Sequence, residues 1–400
     1  MKQEDGHMHN FTHYTPTKVV FGKDTQFLTA AEIKEFGGSK VFIVYGGGSV
    51  VRSGLLDAIT KNLEENGLEY KTKGGVQPNP RLAFAREAVK ESIAFGADFV
   101  LAVGGGSVID TAKAVAHGTA NPDIDIWKFW TGEAALEKSF PVGVVLTISA
   151  AGSEMSNSAV LTNTEIGRKR GLSTDLNRPK FAIMNPELTY TLPKYQIGCG
   201  VADIMMHTLD RYFTHTKGNQ LTDEIAEAVL RTVIAHGQTA IADPTDYEAM
   251  SEIMWCGSIS HNGMTGLGAV TDFAPHQLGH ELSAMFDVAH GASLTAIWGA
   301  WATYSYMEEP ERFARYADKV WGITADTAEE AAKKGIAATI EYFESIGMPT
   351  NFTALSIGIQ TEDVLEKLAD SCSYDRGRTI GSFRICDRDD ILEIYKMANC

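Results

Sequence analysis

Hydrophobic positions in the first half of the chain fall in short continuous runs, each followed by a stretch with helical spacing. VFIVY (41–45) is β-branched and aromatic throughout, which suits a parallel strand buried on both faces. It ends in Gly46-Gly47-Gly48-Ser49, and LLDAITKNL (55–63) beyond it reads as a helix. FVLAV (99–103) repeats the arrangement and ends in Gly104-Gly105-Gly106-Ser107. It leads into VIDTAKAVAHG, a helix that Gly118 is expected to close. PVGVVLTIS (141–149) supplies a third buried strand. Strands alternating with helices predict a doubly wound α/β sheet, with ligands at the carboxyl ends of the strands.

Beyond about residue 195 the pattern changes. Ile225, Val229 and Val233 form an apolar stripe at helical spacing, AEEAAKKGIAATIEYFESIG (328–347) reads as another helix, and strand-like alternation nearly vanishes. The expected organisation is therefore an N-terminal α/β dinucleotide-binding domain over 1–195 and an all-helical metal-binding domain over 196–400. TLPK (191–194) stands at the junction. A length of 400 residues, too great for one ordinary core, agrees with two domains. Residues 1–7 are set aside, because Gly6-His7 before Met8 looks like a cloning scar.

Charge narrows the class of partner. Fifty-one acidic against 35 basic residues leave a formal charge of −16, which argues against nucleic acid or an anionic membrane as the main partner. A local basic site for a phosphate-bearing cofactor remains compatible with it. No apolar run approaches the roughly 20 residues that span a bilayer, and MKQEDGHMHN lacks the apolar region of a signal peptide. The five cysteines are scattered and form no C-x-x-C pair, so neither a disulfide framework nor a thiolate zinc site is indicated. A cytoplasmic location is expected.

Each glycine loop places small residues where backbone N–H groups can approach a phosphate, ahead of a helix N-terminus that favours negative charge. Two such loops point to a dinucleotide or a phosphorylated substrate; two tight turns with no ligand are the plainer alternative. Neither matches G-x-G-x-x-G. Asp110 and Lys113, at i and i+3 inside the second helix, are as well placed for a structural ion pair as for a ligand. No acidic residue follows VFIVY to hold the ribose 2′-hydroxyl of NAD. Ser49 and Arg52 beside the glycines suit a 2′-phosphate instead, which favours NADP(H).

The second candidate chemistry is metal binding. VADIMMHTLD (201–210) presents Asp203 and His207 at i, i+4 on one helix face, a pair that also forms without any metal. APHQLGHELSAMFDVAH (274–290) holds three of the eleven histidines. His276 and His280 lie one turn apart, whereas His290 would stand roughly 21 Å from His276 along an unbroken helix. A turn near Phe286-Asp287-Val288 would bring His290 back. Imidazoles and a carboxylate, with no thiolate, suit Fe(II) or Zn(II). Spacing alone leaves His280 and His290 as rivals for the last ligand place.

Together these segments resemble the iron-containing (group III) alcohol dehydrogenases, in their butanol dehydrogenase and NADPH-dependent aldehyde reductase branch. The resemblance rests on TPTKVVFG, YGGGSV, QPNP (77–80), AVGGGSVIDTAK (102–113), TISAAGSE (147–154), LTYTLP (188–193), DIMMH (203–207) and HQLGHELSAMFDVAHG (276–291). It implies hydride transfer between NADP(H) and a small alcohol or aldehyde of short or medium chain, at an Fe(II) or Zn(II) centre. The implied metal ligands are Asp203, His207, His276 and His290, with His280 handling substrate and proton. Gly46, Gly47, Gly48 and Ser49 match the branch that uses NADP(H), with Arg52 close by. Gly104, Gly105, Gly106 and Ser107 would hold the pyrophosphate near Asp110. Thr147 and Ser149 would line the nicotinamide, and Lys169 would touch the cofactor. Homodimers are common among such enzymes. Two positions depart from the pattern: Ala151 replaces a Thr, and Asn185 replaces an Asp before Pro186.

Four rival readings follow from the same residues. A lyase of the dehydroquinate synthase type uses NAD and zinc in a similar plan, but needs a basic cluster for a polyanionic substrate. A metal hydrolase leaves the twin glycine loops unexplained. A non-catalytic NADP-binding protein leaves the metal donors unexplained. An alcohol dehydrogenase that prefers NAD differs only at the first loop.

Overall fold

The computed structural model describes residues 8–150 and 152–400. The Gly6-His7 segment and the Ala151 replacement lie outside the described residues. The chain divides into two compact units, Tyr14–Leu192 and Pro193–Cys400, the second including the described residues 8–13. The His9 N–H donates to the Gly268 carbonyl at 3.0 Å, which ties the N-terminal stretch to the helical unit.

In the first unit, β1 (Lys18–Phe21), β2 (Lys40–Tyr45), β3 (Glu69–Lys73), β4 (Phe99–Gly104), β5 (Val142–Leu146) and β8 (Phe181–Met184) form a parallel sheet in the order β1-β8-β5-β4-β2-β3. The apolar runs stay continuous because both faces of the central strands are covered. On one face Val41, Ile43, Phe99 and Leu101 pack against Ile33, Leu55, Ile59 and Leu63 from helices. Phe42, Val44, Val100 and Ala102 alternate to the other face and are also fully buried. Burial of each such valine, isoleucine, leucine or phenylalanine side chain stabilises the unit by about 1.5–3 kcal/mol, before the entropy cost of ordering it.

From β2 the chain passes to β3 on one side and then to β4 on the other. The order reverses there, and the carboxyl ends of the two strands are neighbours, with Tyr45 opposite Val103. This is the position at which open α/β sheets bind ligands. One expected boundary is overturned: Gly118 does not close its helix, which runs Gly106–Ala120. A Cβ at Gly118 would stand 2.7 Å from the Ile126 side chain, so packing against a neighbouring segment requires the glycine. A separate antiparallel pair, β6 (Ser158–Asn163) and β7 (Arg168–Ser173), adds a hairpin.

In the second unit, among the described residues, helices carry the structure, and Ile380 and Cys386 form an isolated bridge. The helix His290–Ser305 is buried nearly all round: Leu294, Ile297, Trp298 and Trp301 are inaccessible. Its neighbours include Lys194–Tyr212, Ala274–Phe286 and Arg388–Ala398. Ala274–Phe286 ends at Asp287 in the left-handed region (φ 53), and the next helix starts at His290. The chain thus turns where the helical pattern breaks. Among the described residues no helix is long and apolar enough to cross a membrane.

Candidate metal centre and cofactor loops

Asp203 and His207 project from one face of Lys194–Tyr212, His276 from the first turn of Ala274–Phe286, and His290 from the start of His290–Ser305. Three imidazole nitrogens converge on one carboxylate oxygen. Nε2 of His207, His276 and His290 lie 3.5, 3.7 and 3.7 Å from Asp203 Oδ1. Asp203, His276 and His290 each offer a donor atom, all within 4.8 Å of one another. Close helix packing makes this convergence possible. Gly291 lies against the backbone of Cys199, one helical turn before Asp203, and Gly279 lies against Leu294.

The donors are poised for a cation. Asp203 Oδ1 and His276 Nε2 are buried and have no hydrogen-bond partner among the described residues. Leaving such atoms unsatisfied costs about 1–3 kcal/mol each, more for a charge. A divalent ion between them would satisfy both, and the N/O donor set fits Fe(II) or Zn(II). Burial pushes the His207 pKa well below the usual value, helped by His261, His276 and Arg211, so its ring stays neutral. Burial opposes charge on His276 as well, but Asp210 and Asp203 outweigh it and raise its pKa to about 9.

His280 stands beside this cluster rather than in it. Its ring centre is 6.2 Å from that of His276 and 5.3 Å from that of His290, and its side chain is half-buried. The Asp203 cluster brings in His290.

Three neighbours escaped the sequence reading. Asp210 accepts the Nδ1–H of His276 at 2.5 Å. Arg211 donates to the His207 carbonyl at 2.6 Å, lies 3.0 Å from His261 Nδ1, and stacks over Phe273 at 4.8 Å. The His261 ring centre is 3.9 Å from that of His207. Asp210 was detectable, because it follows Asp203 and His207 at i+7 and i+3 on the same helix face. SISHNG offers no comparable signal for His261.

In the α/β unit the two glycine loops stand side by side at the ends of β2 and β4. Gly104 and Gly105 are needed for packing: a Cβ at either would press on Val108 or Ile148, at 2.6 and 2.9 Å. Gly47 and Gly106 instead face open space. Gly106 and Ser107 begin the helix Gly106–Ala120, where the first N–H groups have no intrahelical acceptor. Gly48 takes φ 111 and caps the short helix Ser49–Arg52, with the Arg52 guanidinium turned back towards it. Thr147 donates its N–H to the Gly104 carbonyl at 3.1 Å. Ser149 is buried, and its hydroxyl has no partner among the described residues. Lys169, on β7, donates to Asn79 at 3.1 Å.

Asp110 is held by protein groups on both oxygens: Ser153 donates at 2.6 Å and the Val160 N–H at 2.9 Å. Lys113, fully buried, donates to the Ser153 and Ser158 carbonyls at 2.8 and 2.7 Å. Burial lowers its pKa to about 8, although Asp110 pulls it upward. This pair fastens the segment after Ala151 to the second glycine helix. Asn185 caps the following short helix by accepting the Glu187 N–H at 3.0 Å.

The chain matches the model of "Iron-containing alcohol dehydrogenase" over residues 16–186 and that of "Fe-containing alcohol dehydrogenase family, C-terminal" over 198–399. NADH-dependent butanol dehydrogenase A of Clostridium acetobutylicum is 40% identical over 391 residues, covering 97% of this chain and 99% of that protein. The NADPH-dependent aldehyde reductase YqhD of Escherichia coli is 35% identical over 364 residues, 90% and 93% of the two chains. A crystal structure of NADH-dependent butanol dehydrogenase A from Thermotoga maritima matches with a TM-score of 0.94 at 37% identity, covering 99% of this chain and all of that one (100%).

Proposed function

The chain belongs to the iron-containing alcohol dehydrogenase family, and from that premise we propose that it is an NADP(H)-dependent reductase of short- and medium-chain aldehydes, reversible to alcohol oxidation. Membership makes it an oxidoreductase of alcohols and aldehydes that uses a nicotinamide cofactor and a metal. The observation that carries the fuller reading is the convergence of three Nε2 atoms on Asp203 Oδ1. We assign Asp203, His207, His276 and His290 as ligands of Fe(II) or Zn(II).

When bound, the metal supplies Lewis acidity to the carbonyl oxygen and the nicotinamide supplies the hydride. The protein supplies the rest. Gly104–Ser107 present N–H groups for the pyrophosphate, and the Lys113–Asp110 pair holds the neighbouring segment in place. The Ser149 hydroxyl and Thr147 would line the nicotinamide, and Lys169 on β7 would touch the cofactor. His280, beside His290 but outside the donor cluster, would supply the proton to the product oxygen. The homodimeric state and cytoplasmic location belong to the same proposal.

NADP(H) is favoured by the glycine run after β2, with Ser49 and Arg52 beside it and no acidic side chain within it. A preference for NAD(H) is the second reading, favoured by relatives of 36–40% identity that are named NADH-dependent. Rates of butanal reduction with NADPH and with NADH, on protein loaded with Fe(II) or Zn(II), test both. A larger kcat/KM with NADPH supports the proposal, and a larger one with NADH overturns the cofactor assignment. Absence of net cofactor oxidation with any aldehyde overturns the reductase.

A further inference from the structure

We propose that Asp210 is a positioning residue of the metal centre: its carboxylate fixes His276 in the tautomer that presents Nε2 to the cation and makes His276 a stronger imidazole donor than His207. The inference rests on the ligand assignment above. Asp210 has no access to solvent. Its Oδ2 receives the His276 Nδ1–H at 2.5 Å, while Oδ1 has no hydrogen-bond partner among the described residues. The side-chain hydrogen bonding of a fully buried carboxylate is therefore devoted to a single imidazole. A charge buried with so little support is costly unless it acts on its partner.

The chemistry follows from which nitrogen carries the proton. An ionised carboxylate can only accept, so Nδ1 of His276 must donate, and the lone pair is left on Nε2, which points to Asp203. An anion behind a metal-binding imidazole also raises its basicity and locks its ring orientation. His207 is backed in the opposite sense. Its Nδ1 lies 3.5 Å from the Arg211 guanidinium, which is held by the His207 carbonyl. A cation there weakens the ring as a donor. Two ligand histidines that look equivalent in sequence are thus made unequal by consecutive residues, Asp210 and Arg211, on one helix.

The test is Co(II) binding to metal-stripped protein, read by chelator competition and by the d–d absorption bands. Asp210→Asn keeps the shape and removes the charge. It is expected to weaken Co(II) binding by about 10- to 100-fold and to shift the bands. Asp210→Glu restores the charge and should recover part of the affinity. Unchanged affinity and unchanged bands in Asp210→Asn overturn the inference. Failure of the wild-type protein to bind Co(II) overturns the ligand assignment itself, and the inference with it. Should Asp210→Asn not fold, nitrogen-15 spectra of the histidines in Zn(II)-loaded wild-type protein decide. A far-downfield Nδ1 proton on His276 supports the inference, and a His276 protonated at Nε2 refutes it.

Discussion

Gly291 rests on the backbone of Cys199 with no space for a side chain between them; a Cβ built at 291 would stand 2.8 Å from the Cys199 Cα. Cys199 lies one turn before Asp203, and Gly291 directly follows His290. The contact therefore sets the separation of a carboxylate on one helix from an imidazole on another.

Gly291→Ala should force those two helices apart. Overpacking of this kind costs about 1–3 kcal/mol. The expected result is a lower melting temperature together with a reduced metal content, measured by elemental analysis after dialysis. A variant with full metal occupancy would show that the spacing is not critical.

His290→Ala and His280→Ala should separate ligand from proton donor. The first is expected to empty the site and abolish activity while the fold persists. The second should keep its metal yet lose about 10²- to 10⁴-fold in kcat, the usual contribution of a general acid. Metal content and kcat measured on the same preparations distinguish them.

Metal removal should destabilise the helical unit, because a cation held by the four proposed ligands would join donors from three helices. At a free metal concentration 100 times the Kd, binding adds about 2.7 kcal/mol. Chelation should therefore lower the melting temperature, and Zn(II) or Fe(II) should restore it.

Arg52→Ala should raise KM for NADPH by about tenfold, roughly what one charge-assisted hydrogen bond supplies. KM for NADH should not change. Equal effects on both cofactors would place Arg52 away from the 2′-phosphate.

His117 gives a pH dependence outside the metal centre. Its ring lies 2.8 Å from Ser139 Oγ and 2.8 Å from Asn177 Oδ1, and burial, opposed by the Asn177 bond, lowers its pKa to about 4. The neutral ring is favoured in the fold, so its stabilisation is complete above the unfolded value near 6.5 and is lost as pH falls towards 4. Between pH 7 and 5 the loss is about 2 kcal/mol. Denaturant unfolding at both pH values should show a smaller drop for His117→Gln than for the wild type.

The legible part of the fold was the part buried on both faces. VFIVY and FVLAV read as strands because nothing polar interrupts them. β3, EYKTK, lies at the sheet edge, and β7, RKRGLS, in a two-stranded hairpin, so neither carries a continuous apolar run. Gly118 misled because a glycine chosen for helix packing looks the same in sequence as one that ends a helix. At the candidate site, the donor types and the i, i+4 pair were readable. The break near Phe286-Asp287-Val288 was readable too, and Asp287 turns there with φ 53; spacing still left His280 and His290 as rivals, because only the tertiary fold shows which ring comes to Asp203. His261 was invisible for a similar reason: only the tertiary fold brings its ring to His207.

The turn at Asp287 also bears on how quickly the site can be loaded. His276 and His290 sit on consecutive helices joined by a three-residue connection, 287–289, so no long loop must be gathered when an ion arrives. The entropy of bringing these two donors together is spent during folding. An ion binding there would find two of its four proposed donors already held at close range by the local chain, leaving only Asp203 and His207 to be brought up from a distant helix.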